Sequence, residues 1–170
     1  MCSRYPSATE LADWGGFFAA SAGAAAGLTG LIIVAMSVNI GTIIGIPGMT
    51  SRAGATIATL VLAVVASIAA LVPGQPLWLY GVEVLVFGAV AAVFAGESAV
   101  RVVAAASRGS RGVGVLKSAV VIAQVLPYLV GGALLIAGDA GGLGWIAAGV
   151  MLVFVGSVLN AWVLLVEILR

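Results

Sequence analysis

Ionisable and amide side chains are so scarce in this sequence that each one inside an apolar run is a candidate for chemistry. Glu83 stands out. It follows Trp78 and Tyr80 closely, and no basic residue lies within reach along its own helix. Helical rise places it roughly 5–8 Å inside a membrane interface. A carboxyl there can handle a proton or a cation, or it can tie one helix to its neighbours. Ser67 and Ser21 lie at matching depth as possible hydrogen-bond partners. Glu97 has Arg101 four residues on, the spacing of an ion pair on one helix face.

The amides form a second group when depth is followed instead of chain order. Asn39, Gln124 and Asn160 each fall ~9–10 Å below the opposite interface. Amides in hydrocarbon seek partners, and hydrogen bonds between helices there average ~0.6 kcal/mol. At least two of the three are expected to meet in the bundle interior, as structural glue or as a permeation or ligand site. Pro127, beside Tyr128, removes one backbone hydrogen bond from its helix and should kink it.

Other chemistry is excluded by what is missing. There is no histidine, and the single cysteine is Cys2. His/Cys metal sites and intrachain disulfides are therefore ruled out. The two aspartates, Asp13 and Asp139, fall at or beyond the interface on the Glu83 side. Neither a nucleophile–base pair nor a phosphate-binding glycine loop is present, so the expectation is a protein without catalysis and without cofactors. A net charge of +1 with no basic tract gives no footprint for nucleic acid.

The elements that position these groups follow from composition. Of 170 residues, 63% are hydrophobic and 8% charged, with a mean hydropathy of +1.28. A soluble fold needs roughly a quarter charged residues to cover its surface. The surface must here be apolar as well, and its solvent is lipid. The expected class is all-α: one polytopic transmembrane domain over residues 1–170, with about five spanning helices. The runs are about 14–46, 53–72, 77–104, 118–137 and 143–169, separated by prolyl, glycyl and charged breaks. The first would be about 48 Å long if straight, more than the ~30 Å hydrocarbon core. Ser7-Ala8-Thr9-Glu10 reads as a capping box. Residues 8–16 should then lie along the interface, with a bend at Gly15-Gly16, unless the whole helix tilts.

Arg101, Arg108, Arg111 and Lys117 surround the third connection, which should face the cytoplasm. Alternation adds Arg52 and Arg170 to that side and leaves only Arg4 outside, so the N-terminus is expected out and the C-terminus in. Trp78, Tyr80 and Trp145 would form an aromatic belt at the outer interface. The Ala/Gly/Val bias of the composition points to a bacterial source, hence to the cytoplasmic membrane.

Close approach of small residues replaces hydrophobic drive between helices in lipid. The first span carries such a stripe: Gly16, Ala20, Gly23, Gly27, Gly30, Ser37, Gly41 and Gly45, including the GxxxG pairs Gly23/Gly27 and Gly41/Gly45. That face could meet helices of its own chain, of another membrane protein, or of a second copy in a homo-oligomer.

Trp14-Gly15-Gly16-Phe17-Phe18, followed by the run Ala22–Ile40, resembles a family of small actinobacterial integral membrane proteins. The family pattern opens on W-x-x-F-F and leads through A-G-A-A-A-x-L-T-G-L to S-x-N. The Val72–Gln75 turn and the Gly81-Val82-Glu83 segment are similar to later family features. Some members carry the description of modulators of the FtsH membrane protease. The resemblance implies an accessory membrane protein and marks Ser37, Asn39, Gln75 and Glu83 as positions to test. Two readings follow. One is a non-enzymatic accessory or regulatory component acting through helix contacts. The other is a small oligomeric channel or transporter using Glu83 and the amide layer.

Overall fold

The computed structural model describes residues 11, 13–45, 49–105 and 111–168, all of them helix, turn or short connection. Helix α1 spans Gly15–Val38, α2 Ile40–Gly45, α3 Met49–Ala69, α4 Leu77–Ala105, α5 Arg111–Ile136 and α6 Gly142–Ile168. The expected all-α bundle is what forms. Four helices are long and apolar enough to cross a membrane, within Gly15–Val38, Leu77–Arg101, Ala119–Ile136 and Gly142–Leu159. The apolar part of α3, Ala53–Ala69, is shorter. The outer surface carries large apolar side chains throughout, among them Leu31, Val34, Val93, Val100, Val155 and Trp162. This is a multi-pass membrane protein.

The first long apolar run is not one helix. The backbone turns at Asn39, with φ −108° and ψ 16°, and α2 resumes beyond it. Asparagine tolerates this sparsely populated conformation better than the β-branched residues around it. The expected continuous span of 14–46 is thus corrected to a 24-residue helix, about 36 Å long, and a separate 6-residue one. At the other end the break falls at Trp14, one residue before the expected Gly15-Gly16 bend. The Ser7–Glu10 capping box and the Pro47-Gly48 stop lie outside the described residues. Helix α5 begins at Arg111, seven residues earlier than expected, so Arg111 and Gly112 are helical and not part of a connecting stretch. It continues unbroken through Pro127.

Two glycines make the described turns possible. Gly74, with φ +71°, sits in the turn closed by the Gln75 N–H on the Val72 carbonyl at 3.4 Å. Proline followed by a left-handed glycine is the type II turn pattern. Gly138, with φ +84°, ends α5. Its N–H reaches the Leu135 carbonyl at 3.1 Å, and the Asp139 N–H reaches Leu134 at 2.9 Å. That pair of bonds is a Schellman termination, which satisfies carbonyls the helix end would leave bare. Asp139 Oδ1 then accepts from the Gly141 N–H at 2.8 Å, completing the reversal into α6.

Consecutive helices are neighbours: α1 packs on α3, α3 on α4, α4 on α5 and α5 on α6, while α6 returns to touch α3 and α1. The core is Phe18, Leu60, Tyr80, Val84, Tyr128, Leu135, Leu143, Ile146, Val150 and Val153.

Close packing is concentrated in α4, α5 and α6, and it depends on glycines. A Cβ on Gly131 would stand 2.7 Å from the Gly142 carbonyl, and one on Gly132 2.9 Å from the Gly81 carbonyl. Adjacent glycines of α5 therefore admit α4 on one side and α6 on the other. Gly88 of α4 receives Leu129, and Gly149 of α6 lies under the Tyr128 ring. The helix 1 stripe behaves differently. Nothing comes within 4 Å of a Cβ built on Gly16, Gly23, Gly27, Gly30, Gly41 or Gly45. Helix α1 instead turns Phe18, Ser21, Ala25 and Ile32 inward.

Candidate functional site

The turn before α4 and the first two turns of that helix bring together Gln75, Tyr80 and Glu83. Gln75 is 6% exposed, although it lies in a connection. Its side-chain Nε2 donates to Glu83 Oε2 at 2.6 Å. The type II turn at Gly74 brings the amide back over the helix start, and eight residues of separation close into one bond. Glu83 is half-buried. Of the two partners expected for it, Ser67 is fully buried with its hydroxyl unpartnered among the described residues, and Ser21 is buried on α1. Glu83 pairs with Gln75 instead. Gln75 Oε1 has no partner among the described residues.

One helical turn before Glu83, Tyr80 is fully buried. Its hydroxyl donates to the Ala66 carbonyl of α3 at 3.1 Å, and its ring meets Phe18 of α1 edge-on at 6.1 Å. Tyr80 therefore joins α1, α3 and α4 at one point, with Glu83 and Tyr128 in electrostatic reach. This corrects the expected aromatic belt. Trp78 and Trp145 are exposed, at 57% and 49%, but Tyr80 points inward. Two residues along a helix is about 200° of rotation, so Trp78 and Tyr80 cannot share a face.

Tyr128, also fully buried, is held between Gly88 and Gly149, and its hydroxyl has no partner among the described residues. Ser157 Oγ is in the same condition.

The amide layer does not form as expected through Asn39. Its Nδ2 donates to the Ala35 carbonyl of its own helix at 2.9 Å. Ser37 does likewise to Ile33 at 2.8 Å, and Thr29 to Ala25 at 2.7 Å. Each of these three side chains donates to the turn below it, a local bond that competes with contacts to a neighbouring helix. Gln124 is 6% exposed and lies across Gly156 of α6, where any side chain would collide with its amide. The Asn160 side chain, one turn past Gly156, lies outside what the structure describes. Near the far end of α4, Glu97 and Arg101 pair at 3.5 Å, both largely exposed.

The arrangement binds helices together through Gln75–Glu83, Tyr80–Ala66 and the ring contact of Tyr80 with Phe18. No group of three or more potential metal-binding side chains occurs among the described residues. A groove of about 340 Å³ between α3 and α4 is lined by apolar residues and is separate from Glu83. Sequence reasoning missed the close-packed glycines. Their signal is a spacing of seven, in Gly142/Gly149/Gly156 and Gly81/Gly88, which keeps them on one seam of antiparallel helices. No family model, no curated protein and no solved structure matches this chain.

Proposed function

We propose that this chain is a non-enzymatic accessory or regulatory protein of the bacterial cytoplasmic membrane, working through lateral helix contact with another membrane protein. The observation that carries the reading is the outer face of α1. Along α1, Gly16, Gly23, Gly27 and Gly30 are exposed, and nothing lies within 4 Å of a Cβ placed on any of them. Thr29, Ser37 and the Asn39 Nδ2 donate to carbonyls of α1 itself. Close approach of backbones is the main source of helix affinity in lipid, and this face allows it. The resemblance to small actinobacterial membrane proteins supports the same reading and points to membrane proteolysis as the process concerned.

In this reading α3 also crosses the bilayer. Its 21 residues make about 31 Å, close to the ~30 Å core. Five spans then place the N-terminus outside and six of the seven basic residues on the cytoplasmic side. The Glu83–Gln75 bond gives Glu83 work in anchoring the turn, which favours the contact reading over a channel or transporter.

The test is co-purification in mild detergent with Gly23→Ile and Gly27→Ile introduced together. Wild type should retain a second membrane protein in fixed ratio. The double variant should fold equally well and lose it. A clean homo-oligomer with no second protein overturns the proposal.

A further inference from the structure

The reversal between α3 and α4 is polar on its inside and apolar on its outside. Residues 53–82 contain no charged side chain, and Gln75 is the only amide among them. Thr56, Thr59 and Ser67 are buried, and Gln75 is folded inward onto Glu83. What the reversal turns outward is Leu71, Val72, Pro73 and Trp78, all exposed. The patch continues the lipid-facing surface of its two helices, which shows Val61 and Ile68 on α3 and Val82 and Val86 on α4.

The backbone is arranged to the same end. Irregular backbone next to lipid is costly wherever its polar groups stay bare. Pro73 and Pro76 carry no N–H. The N–H groups of Ala70, Leu71, Val72 and Gln75 bond to the carbonyls of Ala66, Ile68, Ala69 and Val72. Those of Leu79 and Tyr80 share the Pro76 carbonyl. Among the described residues this leaves Gly74, Leu77 and Trp78 as the bare donors of the stretch.

Helix length sets the depth. Helical rise puts Ala69 about 26 Å from Arg52 along α3, short of the ~30 Å hydrocarbon core. Along α4 it puts Leu77 about 30 Å from Glu97, which brings the reversal to the same edge of the core. The crossing of Gly81 with Gly132 sets the α5–α6 reversal at this end too, and that one exposes Asp139. Two reversals at one end thus differ in chemistry. We infer that the α3–α4 reversal is an interaction surface for the bilayer itself. It sits in one leaflet where acyl chains meet headgroups, with Trp78 as its interfacial anchor, while the α5–α6 reversal stands in water. The inference rests on α3 crossing the bilayer, as proposed above.

The test places single nitroxide labels on the full chain in liposomes, with Cys2→Ser as background and Thr50→Cys, Val72→Cys or Ala140→Cys added. Collision with oxygen, which concentrates in lipid, is compared with collision with a water-soluble nickel chelate present on both faces. The oxygen-to-nickel ratio at Val72 should exceed that at Ala140 severalfold, and Thr50, beyond Arg52 at the other end of α3, should resemble Ala140. Leu71→Cys is a second label site on the patch and should behave as Val72. Nickel reaching Val72 and Leu71 as readily as Ala140, with Thr50 also reached, overturns the seating of the reversal and leaves the crossing of α3 intact. A Thr50 label shielded from nickel overturns the crossing itself, and the seating with it.

Discussion

Gly81 and Gly132 cross so closely that each carbonyl stands where the other residue's side chain would begin. A Cβ on Gly81 would be 2.8 Å from the Gly132 oxygen, and a Cβ on Gly132 would be 2.9 Å from the Gly81 oxygen. The neighbour in each case is backbone and cannot swing away. Alanine at either position should therefore cost about 1–3 kcal/mol by forcing α4 and α5 apart. Thermal unfolding in detergent measures it. Gly23→Ala, at an open position of α1, is the control and should leave the midpoint unchanged.

A different outcome is expected where the obstruction is a side chain. At Gly156 a methyl group would meet the Gln124 amide, the far end of a flexible chain. Gly156→Ala should destabilise the fold, and Gln124→Ala should recover much of that loss by clearing the space. The coupling between the two substitutions, read from a double-mutant cycle, should lie in the range of about 0.5–3 kcal/mol. Strict additivity would show that Gln124 does not rest on Gly156.

Tyr80 and Tyr128 are both fully buried, but only one hydroxyl has a partner among the described residues. Tyr80→Phe removes the donor to the Ala66 carbonyl and leaves the ring against Phe18. It should cost about 0.5–1.5 kcal/mol. Tyr128→Phe removes a buried hydroxyl that gains nothing from the bundle, so it should be neutral or stabilising. Comparison of the two unfolding midpoints checks both expectations, and equal losses would contradict the assignment of partners.

These contrasts explain what could be read from the sequence. The helices were legible because apolar length and turn residues act locally. Pro73-Gly74 and Gly138 stop chains for reasons of φ alone. The packing was less legible, since 24 glycines give many attractive spacings and periodicity does not say which face is inward. The GxxxG pairs Gly23/Gly27 of α1 and Gly41/Gly45 of α2 were the most conspicuous, yet the seven-residue spacing in α4 and α6 marks the faces that touch. Asn39 was misplaced for a related reason. An amide in lipid needs a partner, but its own helix supplies one four residues back. For Glu83, depth along a helix was readable. Its partner was not, because Gln75 reaches it through a turn whose geometry depends on Gly74.

The Gln75–Glu83 bond leads to the prediction that separates anchoring from transport. Glu83→Gln keeps a side chain that can accept from Gln75 Nε2, so the fold should be nearly as stable as wild type. Glu83→Leu strands a buried amide and should cost about 1–3 kcal/mol. Gln75→Leu should cost less, because it removes the buried amide itself, including the unpartnered Oε1. If Glu83 serves the turn alone, liposomes carrying wild type and Glu83→Gln should show the same proton and cation flux. A flux present in wild type and abolished by Glu83→Gln, with unfolding unchanged, would assign the carboxyl to permeation. Stability and flux must be measured on the same preparations, since only their combination distinguishes a carboxylate that holds α4 from one that passes charge along it.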